Sequence, residues 1–154
     1  MGAGLMGAGL MDRQGDSHAV VIGASMGGLL AARALLGPYS RVTILDRDAL
    51  PTDGSNRRGV PQGRQLHLVL ARGALILDAM FPGLLDELEG AGVPVGRSFD
   101  AGRFYFGGWR MTLPTGPLGP DDPPVYQPSR PFLESRVRAR VAALPGVPSG
   151  LQSK

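Results

Sequence analysis

The stretch "HAVVIGASMGGLLAARALLGPYSRVTILDRD", residues 18–48, constrains this chain more than any other. Ala19 to Ile22 is a short apolar run rich in β-branched residues, the pattern of a strand buried on both faces. Leu29, Leu30, Ala34 and Leu35 then recur at helical spacing, and Gly37 followed by Pro38 stops the helix. Val42 to Leu45 reads as a second strand, ending in Asp46. Strand, helix and strand in such close order form the first unit of a Rossmann-like parallel sheet, so the expected fold class is α/β.

The turn between the first strand and the helix, "GASMGG" at 23–28, departs by one residue from the glycine fingerprint that cradles a dinucleotide pyrophosphate. In that fingerprint the first glycine permits the tight turn and the second lets the backbone approach the phosphates. The third lets helix and strand pack closely. Gly23, Ser25 and Gly28 hold those places, with Ala24, Met26 and Gly27 between them. Ser25 is small, and its hydroxyl can itself donate to a phosphate oxygen. The backbone N–H groups of this turn, at the positive end of the helix dipole, would do the main anion binding. Asp46 follows Gly28 by 18 residues, close to the spacing at which an acid accepts hydrogen bonds from the adenosine ribose. The alternative role for Asp46 is to cap the polar turn "LDRD".

A letter-perfect fingerprint, "GAGLMG" at 2–7, lies inside the tandem copy "MGAGLMGAGLM" with no strand ahead of it. It lacks the context that makes the motif work and reads as a chance match in a flexible tail over 1–17. The chain has no cysteine, which excludes thiolate metal sites and cysteine nucleophiles. No secretory leader or membrane span is legible, and a cytoplasmic location is the expectation. The formal charge of +3 comes with arginines spread along the sequence. Nucleic-acid binding is not expected, because an electrostatic footprint needs clustering on one surface.

Beyond residue 50 the pattern loosens. Residues 51–62 read as a turn-rich loop, and Arg64 to Met80 as a helix closed by Phe81-Pro82-Gly83. A short acidic helix "LLDELEG" follows. "GRFYFGGWRMTLP" is a hairpin signal, two β-prone runs around Gly107-Gly108. Residues 114–128 read as irregular. "SRPFLESRVRARVAALPG" reads as a helix with Leu133, Val137, Val141 and Leu144 on one apolar face, Ser129 or Arg130 at its cap and Pro131 in the first turn. His67 is expected as a packing histidine and His18 as exposed. Phe104, Phe106 and Trp109 are expected to pack within the hairpin, and Asp86, Glu87 and Glu89 to form a solvated face.

"HAVVIGASMGGLLAARALL…VTILDRD", followed by "RRGVPQGRQLHLVLARG", "FYFGGWR" and "SRPFLESRVRARV", resembles the N-terminal part of FAD-dependent oxidoreductases of the flavoprotein aromatic-hydroxylase type. The resemblance covers roughly residues 18–146 and implies a glutathione-reductase-type FAD-binding fold, with FAD as cofactor and NAD(P)H as reductant. The G-x-S-x-x-G variant is familiar in that group. The resemblance implies that Gly23, Ser25 and Gly28 lie along the FAD pyrophosphate, that Asp46 holds the adenosine ribose and that Arg47 lies beside the adenosine. It further implies that Arg58 reaches the ribityl and phosphate region and that Arg130 faces the cofactor. No catalytic residue is assigned, since in such enzymes the flavin performs the oxygen insertion and the protein orients it.

Enzymes of this type are much longer. The expected organisation is a partial FAD-binding domain over 18–146 with a hairpin, about 95–113, from the substrate region, and an irregular tail over 147–154. Two parallel strands are too few for such a sheet, so the chain is expected to be a fragment: a truncated or frameshifted gene product, or one part of a split protein with a complementing C-terminal chain. Two other readings compete: a non-catalytic remnant without a tight ligand, and an NAD(P)-linked reductase in which Arg47 would pair with a 2′-phosphate.

Overall fold

The computed structural model describes residues 17–98, 100, 102–112, 115–119, 122, 124–148 and 152–153. The tandem repeat, the 2–7 glycine stretch and nearly all of the expected 1–17 tail lie outside them. The β-branched run forms strand β1, His18–Ile22, and helix α1, Met26–Leu35, returns the chain to strand β2, Arg41–Asp46. The two strands pair in parallel, His18 beside Arg41 through to Ile22 beside Leu45. This register puts Val21, Val42 and Ile44 on one face, where all three are buried together with Leu29 and Ala32 of α1. Ser17, assigned to the tail by the sequence, is already tied down: its carbonyl accepts from the amides of Ser40 and Arg41.

The segment 51–70 departs from expectation. Pro61–Arg64 forms a short 3-10 turn and helix α2 begins only at Ala71, running to Met80. The helix expected from Arg64 is shortened because Val69 makes a two-way backbone pairing with Tyr126, its N–H donating at 2.8 Å and its carbonyl accepting at 3.2 Å. His67 therefore sits in an extended lead-in rather than on a helix. Helix α3, Leu84–Gly90, follows after Gly83, whose φ of 77° suits glycine.

Strand β3, Val95–Gly96, pairs antiparallel with a strand at Val125–Tyr126, and Ser98 bridges to Pro117. The span expected to be irregular, 114–128, thus contains ladder contacts. Proline-rich sequence hides them because each involves only one or two residues. Between them stands the expected hairpin, β4 Tyr105–Phe106 and β5 Trp109–Arg110, with Gly107 and Gly108 both at positive φ as a tight primed turn requires. Its aromatic residues do not pack inside: Phe106 and Trp109 face each other across the strands yet are 72% and 83% exposed. Val125–Tyr126 is strand β6 in chain order.

Helix α4, Arg130–Ala142, starts as predicted, the Ser129 hydroxyl accepting from the Phe132 amide with Pro131 in the first turn. Leu133, Val137 and Val141 are buried against the core that α1, α2 and α3 share. The acids of α3 are not simply solvated, because Glu87 takes Arg140 at 2.8 Å and Arg136 at 3.5 Å, which joins α3 to α4. Past α4, Gln152–Ser153 forms strand β7, parallel to Leu45 and Asp46 of β2, so the sheet order is β1-β2-β7. The tail expected to be irregular thus adds a short third strand. Backbone pairing alone suffices for two residues, and Pro148 lies outside the ladder.

Candidate functional site

The site grows from the end of β1. Gly23 takes φ 101°, turning the chain sharply while its N–H still donates to the Leu45 carbonyl at 2.7 Å. A Cβ on Gly23 would meet nothing within 4 Å, so this backbone is open to an approaching group. At Gly28 the opposite holds: a Cβ there would overlap the Gly23 carbonyl and crowd Val21. The first and third fingerprint positions thus do what the motif requires, one turning the chain and the other letting α1 lie against β1. Ser25 is the N-cap of α1, and its side chain makes no capping hydrogen bond. Its hydroxyl stands at the positive helix end, uncommitted to the cap.

Asp46 reaches across to this turn. One carboxylate oxygen accepts from the Ala24 amide at 2.6 Å and the other from the Asp48 amide at 2.8 Å. The Arg57 guanidinium adds two longer contacts, 3.3 and 3.4 Å. Burial works to raise the Asp46 carboxyl, but the amides of Asp48 and Ala24 and the Arg57 charge outweigh it, holding the group below the ordinary aspartate value. Asp46 therefore does cap its turn, the alternative role read in the sequence, and in doing so it fixes the geometry of the fingerprint loop.

Arg57 is the residue that sequence reasoning passed over. Its side chain is 7% exposed and binds Asp48 at 3.1 Å and Glu134 at 3.0 Å, besides Asp46. Glu134, 3% exposed, also takes Arg138, which in turn donates to the Pro51 carbonyl. A chain of buried ion pairs thus runs from α4 through the 51–60 loop to the end of β2. Gly59 closes the loop, its amide donating to Asp48 at 2.8 Å. The signals were the alternating charges "DRD" after β2 and the i, i+4 pair Glu134 and Arg138 beside the apolar stripe of α4.

Ile22, Gly23, Ser25, Leu45, Asp46, Arg47, Asp48, Arg57 and Gly59 line one cleft of about 300 Å³. Four of the residues expected from sequence, Gly23, Ser25, Asp46 and Arg47, meet there. Ala24 is buried with its amide on Asp46, Met26 packs on the core, Gly27 is exposed on α1 and Gly28 serves packing. Arg58 is exposed and does not line the cleft; its neighbour Arg57 does. Arg130 opens α4 away from the cleft, with a buried Nε that has no partner among the described residues. Burial pushes the His67 imidazole below its ordinary value, and the positive charge of Arg130 adds to this against a hydrogen bond with the Pro128 backbone. The described residues include no group of His, Asp and Glu that would hold a metal, and no helix long and apolar enough to cross a membrane.

The geometry of p-nitrophenol 4-monooxygenase PnpA from Pseudomonas putida DLL-E4 superposes on 86% of this chain with a TM-score of 0.56 at 20% identity. The chain thus shares an α/β fold, with its parallel β1-α1-β2 unit and small hairpins, with part of that enzyme. It spans 30% of that enzyme. In sequence it is 47% identical over 130 residues to Protein Rv3254 of Mycobacterium tuberculosis, covering 84% of this chain and 27% of the relative. It is also 37% identical over 71 residues to the all-trans-zeta-carotene desaturase of Myxococcus xanthus, 46% of this chain and 13% of that protein. No family model matches the chain.

Proposed function

We propose that this chain is the adenosine-pyrophosphate half of an FAD site, belonging to a flavin-dependent monooxygenase or related oxidoreductase whose remaining parts lie in further polypeptide. The observation that carries the reading is the convergence in one cleft of an open glycine turn, a helix N-terminus and a buried acid at the end of β2. The pyrophosphate would lie over Gly23 and Ser25, held by amides of the first turn of α1 and by the Ser25 hydroxyl. Asp46 would take the ribose hydroxyls. Its short bonds to Ala24 and Asp48 can stay, because the ones a hydroxyl would replace are the long contacts from Arg57. Arg57 then remains anchored by Asp48 and Glu134, and Arg47, 87% exposed, would cover the adenosine. Bound FAD would supply the redox chemistry, taking electrons from NAD(P)H, while the chain's own groups bind and orient it.

The test is the change in FAD fluorescence on titration with the chain and with a Ser25→Asp variant. Aspartate is as good an N-cap as serine, so α1 persists while a negative charge faces the phosphates. A saturable rise, as the adenine is drawn away from the flavin ring, with affinity weakened at least tenfold by the variant is the expected result. Equal affinity in both chains would reject the site, and absence of any saturable change in both would favour a remnant without a ligand. Tighter binding of NADPH than of FAD would favour the reductase reading.

A further inference from the structure

The buried charges beside the cleft are not evenly shared. Arg57 meets its acids from two sides: Nε donates to Glu134 Oε1 at 3.0 Å, while Nη1 reaches Asp48 at 3.1 Å and the two Asp46 oxygens at 3.3 and 3.4 Å. Of the three acids, Asp46 thus has the longest contacts and Glu134, on α4, the shortest. Burial works to lower the Arg57 guanidinium, but the charge and hydrogen bond of Glu134, ahead of the Asp46 charge, outweigh it and hold the group above the ordinary arginine value. A carboxylate offers about four acceptor sites, and on Asp46 the Ala24 and Asp48 amides take two of them. What remains is the part of Asp46 that Arg57 touches only at long range. A guanidinium favours side-on, two-bond pairing with a carboxylate, so Arg57 left to Asp46 alone would fill that part.

The geometry points to Glu134 as a positioning residue of the cleft: it draws the Arg57 guanidinium back toward α4 and so keeps acceptor sites of Asp46 open to the ribose hydroxyls of an adenine nucleotide. Glu134 does not line the cleft and acts through Arg57 and Asp46, which do. The inference rests on the reading of Asp46 as the ribose acid and deepens it, giving α4 a part in selecting ligands that carry free ribose hydroxyls. Helix α4 is suited to the task, because Leu133 and Val137 on either side of Glu134 are buried in the core and fix where its carboxylate stands.

Glu134→Gln isolates the charge. Arg57 and Arg138 both bond to Oε1, and Oε2 is buried without a hydrogen-bond partner among the described residues, so the amide keeps both bonds and places its nitrogen where Oε2 stood. The chain and the variant are titrated calorimetrically with ADP and with 2′,3′-dideoxy-ADP. The readout is the ratio of the two affinities, since a changed field at the phosphates moves both nucleotides together. Wild type is expected to prefer ADP by about tenfold, the scale of hydrogen bonds to a charged acceptor. In Glu134→Gln that preference is expected to fall at least about threefold, the scale of coupling within one hydrogen-bond network. The variant leaves the buried Arg138 without a partner charge, so a second variant, Glu134→Gln with Arg138→Gln, removes one charge of each sign and is expected to show the same fall. An unchanged ratio in either folded variant, with both nucleotides weakened alike or not at all, would overturn the inference and leave the ADP site standing. Equal binding of both nucleotides by wild type would remove the ribose role of Asp46 and the role of Glu134 with it. Binding of neither would remove the FAD reading as a whole.

Discussion

The βαβ unit at 18–46 and the region 95–126 are built on opposite principles. In the first, each element is at least five residues long, and its apolar face finds partners within the same thirty residues, Val21 and Ile44 against Leu29 and Ala32. In the second, every strand is two residues long and the hairpin side chains Phe104, Tyr105, Phe106 and Trp109 all face solvent. The βαβ unit satisfies one face of its sheet locally, while Val20 and Ile22 on the other face stay exposed. The hairpin has sound turn chemistry and, among the described residues, no layer to pack on.

The contrast between the two regions can be broken by substitution. The largest effect is expected at Glu134→Ala, which strips a buried carboxylate from Arg57 and Arg138; removing one partner of such a pair costs about 3–5 kcal/mol. Denaturant unfolding would measure it, and a change near zero would mean the network is ornamental. Next comes Gly28→Ala, whose Cβ would overlap the Gly23 carbonyl. A loss of about 1–3 kcal/mol is expected from that overpacking, with a matching loss of FAD binding, while neutrality would show that α1 can slide from β1. The acid limb is smaller. Because Asp46 is held below its ordinary value of 3.8, its contribution is fully present above that pH and disappears as pH falls through the lower folded value. Thermal melts at falling pH, through and below 3.8, should show a steeper loss for wild type than for Asp46→Asn. Parallel curves would remove Asp46 from the stability of the turn. The smallest effect is expected in the other region, where Trp109→Ala should shift stability by under about 0.5 kcal/mol. A large loss there would sink the contrast.

Legibility followed the same divide. The β1, α1 and β2 elements could be read almost to the residue because periodicity, Gly37-Pro38 and the fingerprint turn all act over short range. Helix α4 was equally plain from Ser129, Pro131 and the Leu133, Val137, Val141 stripe. The late start of α2 was not legible, because it depends on Val69 pairing with Tyr126, 57 positions away in the chain. The same holds for β6 and β7, whose two-residue ladders leave no pattern. In the site, Gly23, Ser25 and Asp46 follow from spacing, whereas choosing Arg57 over Arg58 requires knowing which of two adjacent arginines turns inward toward Glu134.

The central claim is that the cleft over Gly23, Ser25 and Asp46 recognises the ADP half of a flavin dinucleotide. Calorimetric titration of the chain with ADP and, separately, with riboflavin tests it most directly. ADP is expected to bind with one-to-one stoichiometry and to be weakened by Ser25→Asp, while riboflavin gives no heat. Binding of riboflavin without ADP, or ADP binding that Ser25→Asp leaves unchanged, would contradict it.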